Sequence, residues 1–333
     1  MATDNSLPQN VVRDERRELP EDADEDEVEA RVGLRYAASQ VMADPTARVG
    51  MVFIAVMVAI ASFAAIDSYV FNYALAGRFW HSPIQAQPGA TGLLPPVGFE
   101  NGYGQGTWQY PLGTDHRGRG ILVRLVYGSR IAMMVGIVST GIGMSVGTIV
   151  GAVAGYYGGW IDDVLMRIVE TIYAIPFLIL VIAFMTAFGR DLQYAMVGVG
   201  LASIPVFARL IRSEVFSVRE EEYVEAARAV GMKDRNIILQ NVIPNSFGPV
   251  VVQATLQVGV NILTVAGLSF LGFGAQPPTA SWGQMLAQSR GYMLPDPWFS
   301  VWPGLAILFT VIGFNLLGDG LRDALDPRLQ NQR

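Results

Sequence analysis

The chain has 333 residues, 51% of them hydrophobic and only 16% charged, with a formal net charge of −6. Soluble domains carry about 25% charged residues, so the deficit points to lipid as the solvent. With no cysteine and only His81 and His116, the chain offers no disulfide framework, thiolate site, cysteine nucleophile or zinc centre, and no basic stripe suggests nucleic acid.

The acidic surplus lies at the start, above all in Glu21 to Glu27, and residues 1–45 read as a solvated cytoplasmic tail and linker. Six largely charge-free runs follow, and a span needs about 20 apolar residues to cross a hydrocarbon core of about 30 Å. The first is 49–66, between Arg48 and Asp67, within a transmembrane helix placed at 46–70. It follows a long acidic tail and lacks a small-residue cleavage site, so it reads as an anchor and not as a signal peptide. The others are 131–156, 165–188, 192–208, 250–270 and 298–317. Their Gly, Ala, Val and Ile content suits close helix packing, and runs of this length without ten-residue alternation argue against a β-barrel. The fold class expected is therefore an all-α membrane protein of about six transmembrane helices.

Basic residues orient the spans. Arg209, Arg212, Arg219, Arg228, Lys233 and Arg235 follow the fourth span, and Arg322, Arg328 and Arg333 follow the sixth, whereas the short opposite loops hold Arg190 and Arg290. The positive-inside rule puts both termini and the 213–247 segment in the cytoplasm. Residues 71–130 become an extracytoplasmic loop despite five arginines, since a loop of about 60 residues escapes the rule. Its Gly-, Pro- and aromatic-rich part reads as an irregular cap, and 321–333 as a cytoplasmic tail.

The 213–247 segment carries the most information. Glu222-Tyr223-Val224-Glu225-Ala226-Ala227-Arg228-Ala229-Val230 consists largely of strong helix formers, and Gly231 is placed to end that helix in a left-handed conformation. Lys233 to Gln240, including Asp234, forms a second piece, which Pro244 is expected to break before the fifth span. Ala226 and Ala227 together give a small face for another protein to approach, and Glu225 offers a carboxylate for capping or pairing. A polar helical hairpin between spans has no lipid to bury in, which makes it a surface for a soluble partner.

Glu225-Ala226-Ala227, three residues, Gly231, then twelve residues to Pro244, between two membrane spans, resembles the EAA loop of ABC importer permeases of the dipeptide, oligopeptide and nickel branch. Asn241 departs from the aliphatic residue which that pattern carries three positions before the proline. The resemblance extends, in order, through Tyr110 to Asp115 with Gly118-Arg119, Ala154 to Gly159, Gly267 to Gly272, Ser281-Trp282-Gly283 and Leu317 to Pro327. It implies a MetI-like permease core of five spans at 131–320 behind an extra N-terminal span, as in the second of the paired permeases. The partners it implies are a second permease subunit, two ABC ATPase subunits and an extracytoplasmic solute-binding protein. Glu222, Glu225, Ala226, Ala227, Gly231, Asp234 and Pro244 would then couple the chain to its ATPase. Peptides lead the solutes implied, beside nickel complexes, glutathione and oligosaccharides.

The chain itself holds no ATPase motif. A phosphate-binding loop needs Gly-Lys followed by Ser or Thr, and the lone lysine, Lys233, stands between Met232 and Asp234. No catalytic residue, metal ligand or cofactor site is expected. A gradient-driven secondary transporter is the rival reading, and it would show inverted repeats or a mid-span carboxylate. The mid-span hydroxyls Ser139, Thr140 and Thr148 are expected to bond backbone carbonyls. Asp162-Asp163 reads as a pair of exposed turn acids, Arg167, Glu170 and Asp191 as interfacial anchors, and Gly141-Ile142-Gly143 with Gly147 as a close-packing surface.

Overall fold

The computed structural model describes Met42 and residues 44–325; most of the acidic tail, with Arg328, Arg333 and Pro327, lies outside the described residues. The described residues form a helical bundle. Helix α1 spans Pro45–Tyr69, α2 Ala74–Phe79, α3 Ile121–Tyr157, α4 Gly159–Ala174, α5 Phe177–Phe188 and α6 Leu192–Val218. The hairpin supplies α7 (Glu222–Ala229), α8 (Asp234–Ile237), a π-helical turn (Ile238–Val242) and α9 (Ile243–Asn245). Helices α10 (Phe247–Phe270), α11 (Trp282–Ser289) and α12 (Trp298–Leu325) complete the described residues, and a two-residue antiparallel ladder, β1 (Glu100–Asn101) with β2 (Gly104–Gln105), lies in the long loop.

Five helices, α1, α3, α6, α10 and α12, are long and apolar enough to cross a membrane. The remaining expected span, 165–188, third in chain order, is broken. Helices α4 and α5 meet at 91°. The cause is Pro176, which disfavours helix at the residue before it, and Ile175 takes an extended conformation (φ −81°, ψ 128°).

Helix α3 begins ten residues before the expected start of its span, and its 37 residues give a length of about 55 Å, well beyond the hydrocarbon core. Arg124 and Arg130 do not stop the helix because neighbouring groups partner them in part. Arg130 donates to the Ser68 and Tyr73 hydroxyls, although Nε and Nη2 of Arg124 and Nε of Arg130 lack a hydrogen-bond partner among the described residues. Arg124, fully buried, lies 3.5 Å from Asp115 and donates from Nη1 to the Pro83 carbonyl at 2.8 Å. Arg119 donates to Asp115 at 2.7 Å. At the same end Asp67 accepts the Leu75 and Ala76 N–H groups and the Tyr127 hydroxyl, tying α1 to α2 and α3.

The centre of the bundle is the α3–α6 pair. Gly143, Gly147, Gly151 and Gly155 recur every four residues on α3, and a Cβ at any of them would stand within 3 Å of α6. The stripe lets two backbones approach closely, which supplies packing where lipid gives no hydrophobic drive. It confirms the packing expectation for Gly143 and Gly147, while Gly141 faces open space.

Polar groups close the core. Asn261 of α10 donates to the Thr140 hydroxyl at 3.0 Å and accepts from Gln257 at 3.0 Å and from Ser203 of α6 at 3.3 Å. Of the three hydroxyls expected to bond carbonyls, only Ser139 does so, donating to Met196 at 2.9 Å. Thr140 receives the Asn261 amide instead, and the Thr148 oxygen has no partner among the described residues.

Candidate functional site

The hairpin Glu222–Asn245 lies at the bundle end where α3 and α6 finish and α10 starts. Helix α7 ends in a Schellman arrangement. Gly231 sits at φ +80°, its N–H donates to Arg228 O at 2.9 Å, and Met232 N–H donates to Ala227 O at 3.1 Å. Nothing lies within 4 Å of a Cβ placed on Gly231, so the backbone conformation alone selects glycine there.

Pro244 does not end the second helical piece. The chain stays helical from Asp234 to Asn245, loosened through the π turn at Ile238–Val242, and Ile243 N–H reaches back to Ile238 O. A wider turn ahead of Pro244 accommodates a ring that a regular α-turn would meet with its fourth preceding carbonyl.

The two sides of the hairpin differ. Val224, Ala227, Ile237, Ile238 and Val242 are buried against Ala152, Tyr156, Phe207, Ile211, Val215 and Val250 of the spans. Glu222, Glu225, Ala226, Gly231, Asp234 and Pro244 are exposed. The expected small face of two alanines is therefore split. Successive helical residues stand about 100° apart, so Ala226 faces outward while Ala227 joins the core.

Polar contacts fix the hairpin and the end of α6 to residues 155–162, the elbow between α3 and α4. The Tyr156 hydroxyl donates to Asp234 Oδ1 at 2.9 Å. Arg228 lies over the Tyr156 ring, 5.1 Å from its centroid, and its Nε donates to the same hydroxyl at 3.4 Å. Arg219, just after α6, donates to the Gly155 carbonyl at 2.9 Å. Arg212 of α6 grips Asp162 with two hydrogen bonds of 2.5 Å each. Asp162 is thus a buried ion-pair partner and not the exposed turn acid expected, whereas Asp163 is exposed. The spacing of Asp162 and Arg212, 50 residues, hides this pair from a local reading of the chain.

At the opposite end, Asp296 is buried and His116 half-buried, and neither is engaged in an ion pair among the described residues. Neither oxygen of Asp296 has a hydrogen-bond partner among the described residues, and burial pushes its pKa up to about 6. His116 stacks on Tyr292, and burial lowers its pKa. Among the described residues, no group of three or more His, Asp and Glu side chains is placed to hold a metal ion.

Residues 147–331 match the family described as binding-protein-dependent transport system inner membrane component. The dipeptide transport system permease protein DppC of Alkalihalophilus pseudofirmus is 46% identical over 219 residues, covering 66% of this chain and 72% of that protein. The glutathione transport system permease protein GsiD of Pectobacterium atrosepticum is 44% identical over 220 residues, covering 66% and 73%. Among solved structures, the inward-facing MetNI methionine ABC transporter aligns with a TM-score of 0.51 at 23% identity, covering 61% of this chain and 97% of that one, a likeness of fold. The matched segment takes in the elbow, the hairpin and the α6, α10 and α12 spans, and so the chain belongs to the binding-protein-dependent transport system inner membrane components, the permease subunits of ABC importers.

Proposed function

We propose that this chain forms half of the translocation pathway of an ATP-driven importer for peptides or related small solutes, with the hairpin as the surface that a separate ATPase engages. The observation that carries this reading is the two-sidedness of the hairpin. Its apolar side is sealed into the spans, and its outer side offers Glu222, Glu225 and Ala226, whose side chains meet no hydrogen-bond or ion-pair partner among the described residues. The paired partner is a second permease subunit, two ATPase subunits supply the energy, and an extracytoplasmic solute-binding protein delivers the solute. In this reading the hairpin end, with both chain termini, faces the cytoplasm, in keeping with its arginines. The seven residues Glu222, Glu225, Ala226, Ala227, Gly231, Asp234 and Pro244 divide by role. Glu222, Glu225 and Ala226 meet the ATPase, Ala227 and Asp234 seat the hairpin, and Gly231 and Pro244 shape it. The dipeptide permease among the relatives supports peptides as the first solute class to assay, with glutathione, a modified tripeptide, in the same range.

The test is co-expression of tagged chain with its genomic neighbours, comparing the native protein with Glu225→Arg. Copurification of an ATPase and a second permease with the native chain, and loss of the ATPase from the variant, is the expected result. A chain that purifies alone and moves solute into vesicles without ATP is instead a gradient-driven carrier.

A further inference from the structure

Among the described residues, the polar ties that seat the hairpin and the end of α6 converge on eight residues, 155–162. Arg228 and Asp234 reach Tyr156, Arg219 reaches the Gly155 carbonyl, and Arg212 reaches Asp162. This stretch contains Gly158 and Gly159, both at positive φ (64° and 52°), and leads straight into α4.

Helices α3 and α6 have no slack between them, because their glycine stripe already brings backbones to contact. A displacement of the hairpin cannot be absorbed there. The next joint along the chain is the elbow, and the element beyond it exposes much of its surface. Helix α4 exposes Val164, Ile168 and Tyr173, and α5 exposes Leu178 and Ile179. The 91° break at Ile175–Pro176 uncouples α4 from α5, since no continuous backbone ladder crosses it. Helix α4 is held to α6 by the paired hydrogen bonds between Asp162 and Arg212, and by Arg209 lying 3.7 Å above the Tyr173 ring. A bidentate arginine–carboxylate pair is directional as well as strong, and so transmits rotation as well as translation.

We propose that the elbow relays movement of the hairpin to α4, with Tyr156 and Asp162 as positioning residues of the transport cycle. This rests on the hairpin being the ATPase-facing surface. Tyr156 receives the motion through Asp234 and Arg228, and Asp162 ties the result to α6 and sets the angle of α4. Loss of either contact leaves an importer that assembles and hydrolyses ATP without moving α4.

The chain has no cysteine, so introduced labels are unique within it. Spin labels at Ile168→Cys on α4 and Leu308→Cys on α12, both at exposed positions, report the displacement of α4 in the complete reconstituted complex, with and without trapping by ADP and vanadate. The native background is expected to show a clear shift in the distance distribution on trapping. Asp162→Asn is expected to retain ATP hydrolysis and lose more than half of that shift, and the exchange Asp162→Arg with Arg212→Asp to recover it. A fully native shift in both Asp162→Asn and Tyr156→Phe overturns the proposal, as does a native complex that hydrolyses ATP without moving α4. Should Asp162→Asn fail to assemble, Tyr156→Phe, which loses only a hydroxyl, decides by the same readout. A native chain that binds no ATPase refutes the ATPase-facing reading instead.

Discussion

The Tyr156 hydroxyl lies 2.9 Å from Asp234 Oδ1, joining the last turn of α3 to the first residue of α8 across 78 positions of sequence. One phenol thereby fixes a hairpin whose other contacts with the spans are mainly apolar. Tyr156→Phe should keep the ring packing and lose about 1 kcal/mol, the usual net value of a hydrogen bond. Amide exchange across 222–245 should rise roughly fivefold while the α3–α6 core stays protected. Equal acceleration in both regions would show that the hydroxyl supports the whole bundle and not the hairpin alone.

Gly231 gives a test of the hairpin turn. Its φ of +80° costs an L side chain about 1–2 kcal/mol, and its surroundings are open. Gly231→Val should lower the thermal midpoint of the detergent-solubilised chain more than Gly231→Asn, because asparagine tolerates the left-handed region. The same midpoint for both variants would mean that the turn relaxes away from this conformation.

The glycine stripe predicts a contrast between two positions on one helix. A Cβ at Gly151 would stand 2.2 Å from the Ala208 carbonyl oxygen, whereas one at Gly141 meets nothing within 4 Å. Gly151→Leu should destabilise the chain by about 1–3 kcal/mol or more through overpacking. Gly141→Leu should be close to neutral in the same melting assay.

Asp296 predicts a pH dependence. Its pKa is near 6 in the folded chain against an ordinary 3.8, so the folded state binds the proton more tightly than the unfolded one. The resulting stability is fully present below about pH 4 and is lost as pH rises through about 6. Asp296→Asn should flatten the stability profile between these values. An unchanged slope in thermal melts from pH 4 to 7 would assign the dependence to other groups.

Much of the architecture was legible along the chain because lipid imposes a one-dimensional rule: a span must be long, apolar and internally hydrogen-bonded. That rule found five continuous spans, and at Leu192 and Phe270 it found their ends. It missed the early start of α3, because Arg124 is an expensive charge in isolation and a paired one beside Asp115 and the Pro83 carbonyl. It also passed over Pro176, whose effect on Ile175 is local and was present in the sequence as a signal for a break.

The hairpin shows the same division more sharply. Gly231 was readable, since a left-handed residue ending a helix is a matter of backbone sterics. The split of Ala226 from Ala227 was not, because the side of α7 that is buried depends on where α3 and α6 stand. Asp162 looks like an exposed acid until Arg212 arrives from 50 positions away, and Asp234, though exposed, is tied by Tyr156 from 78 positions away. By itself the sequence determined the membrane class, the number of apolar segments and the position of the hairpin between spans, because hydropathy and turn chemistry act over a few neighbouring residues. Only the tertiary structure decided the buried side of α7, the buried ion pair and the seat of the hairpin on the elbow, because an ion pair or a hydrogen bond is a property of distance in space.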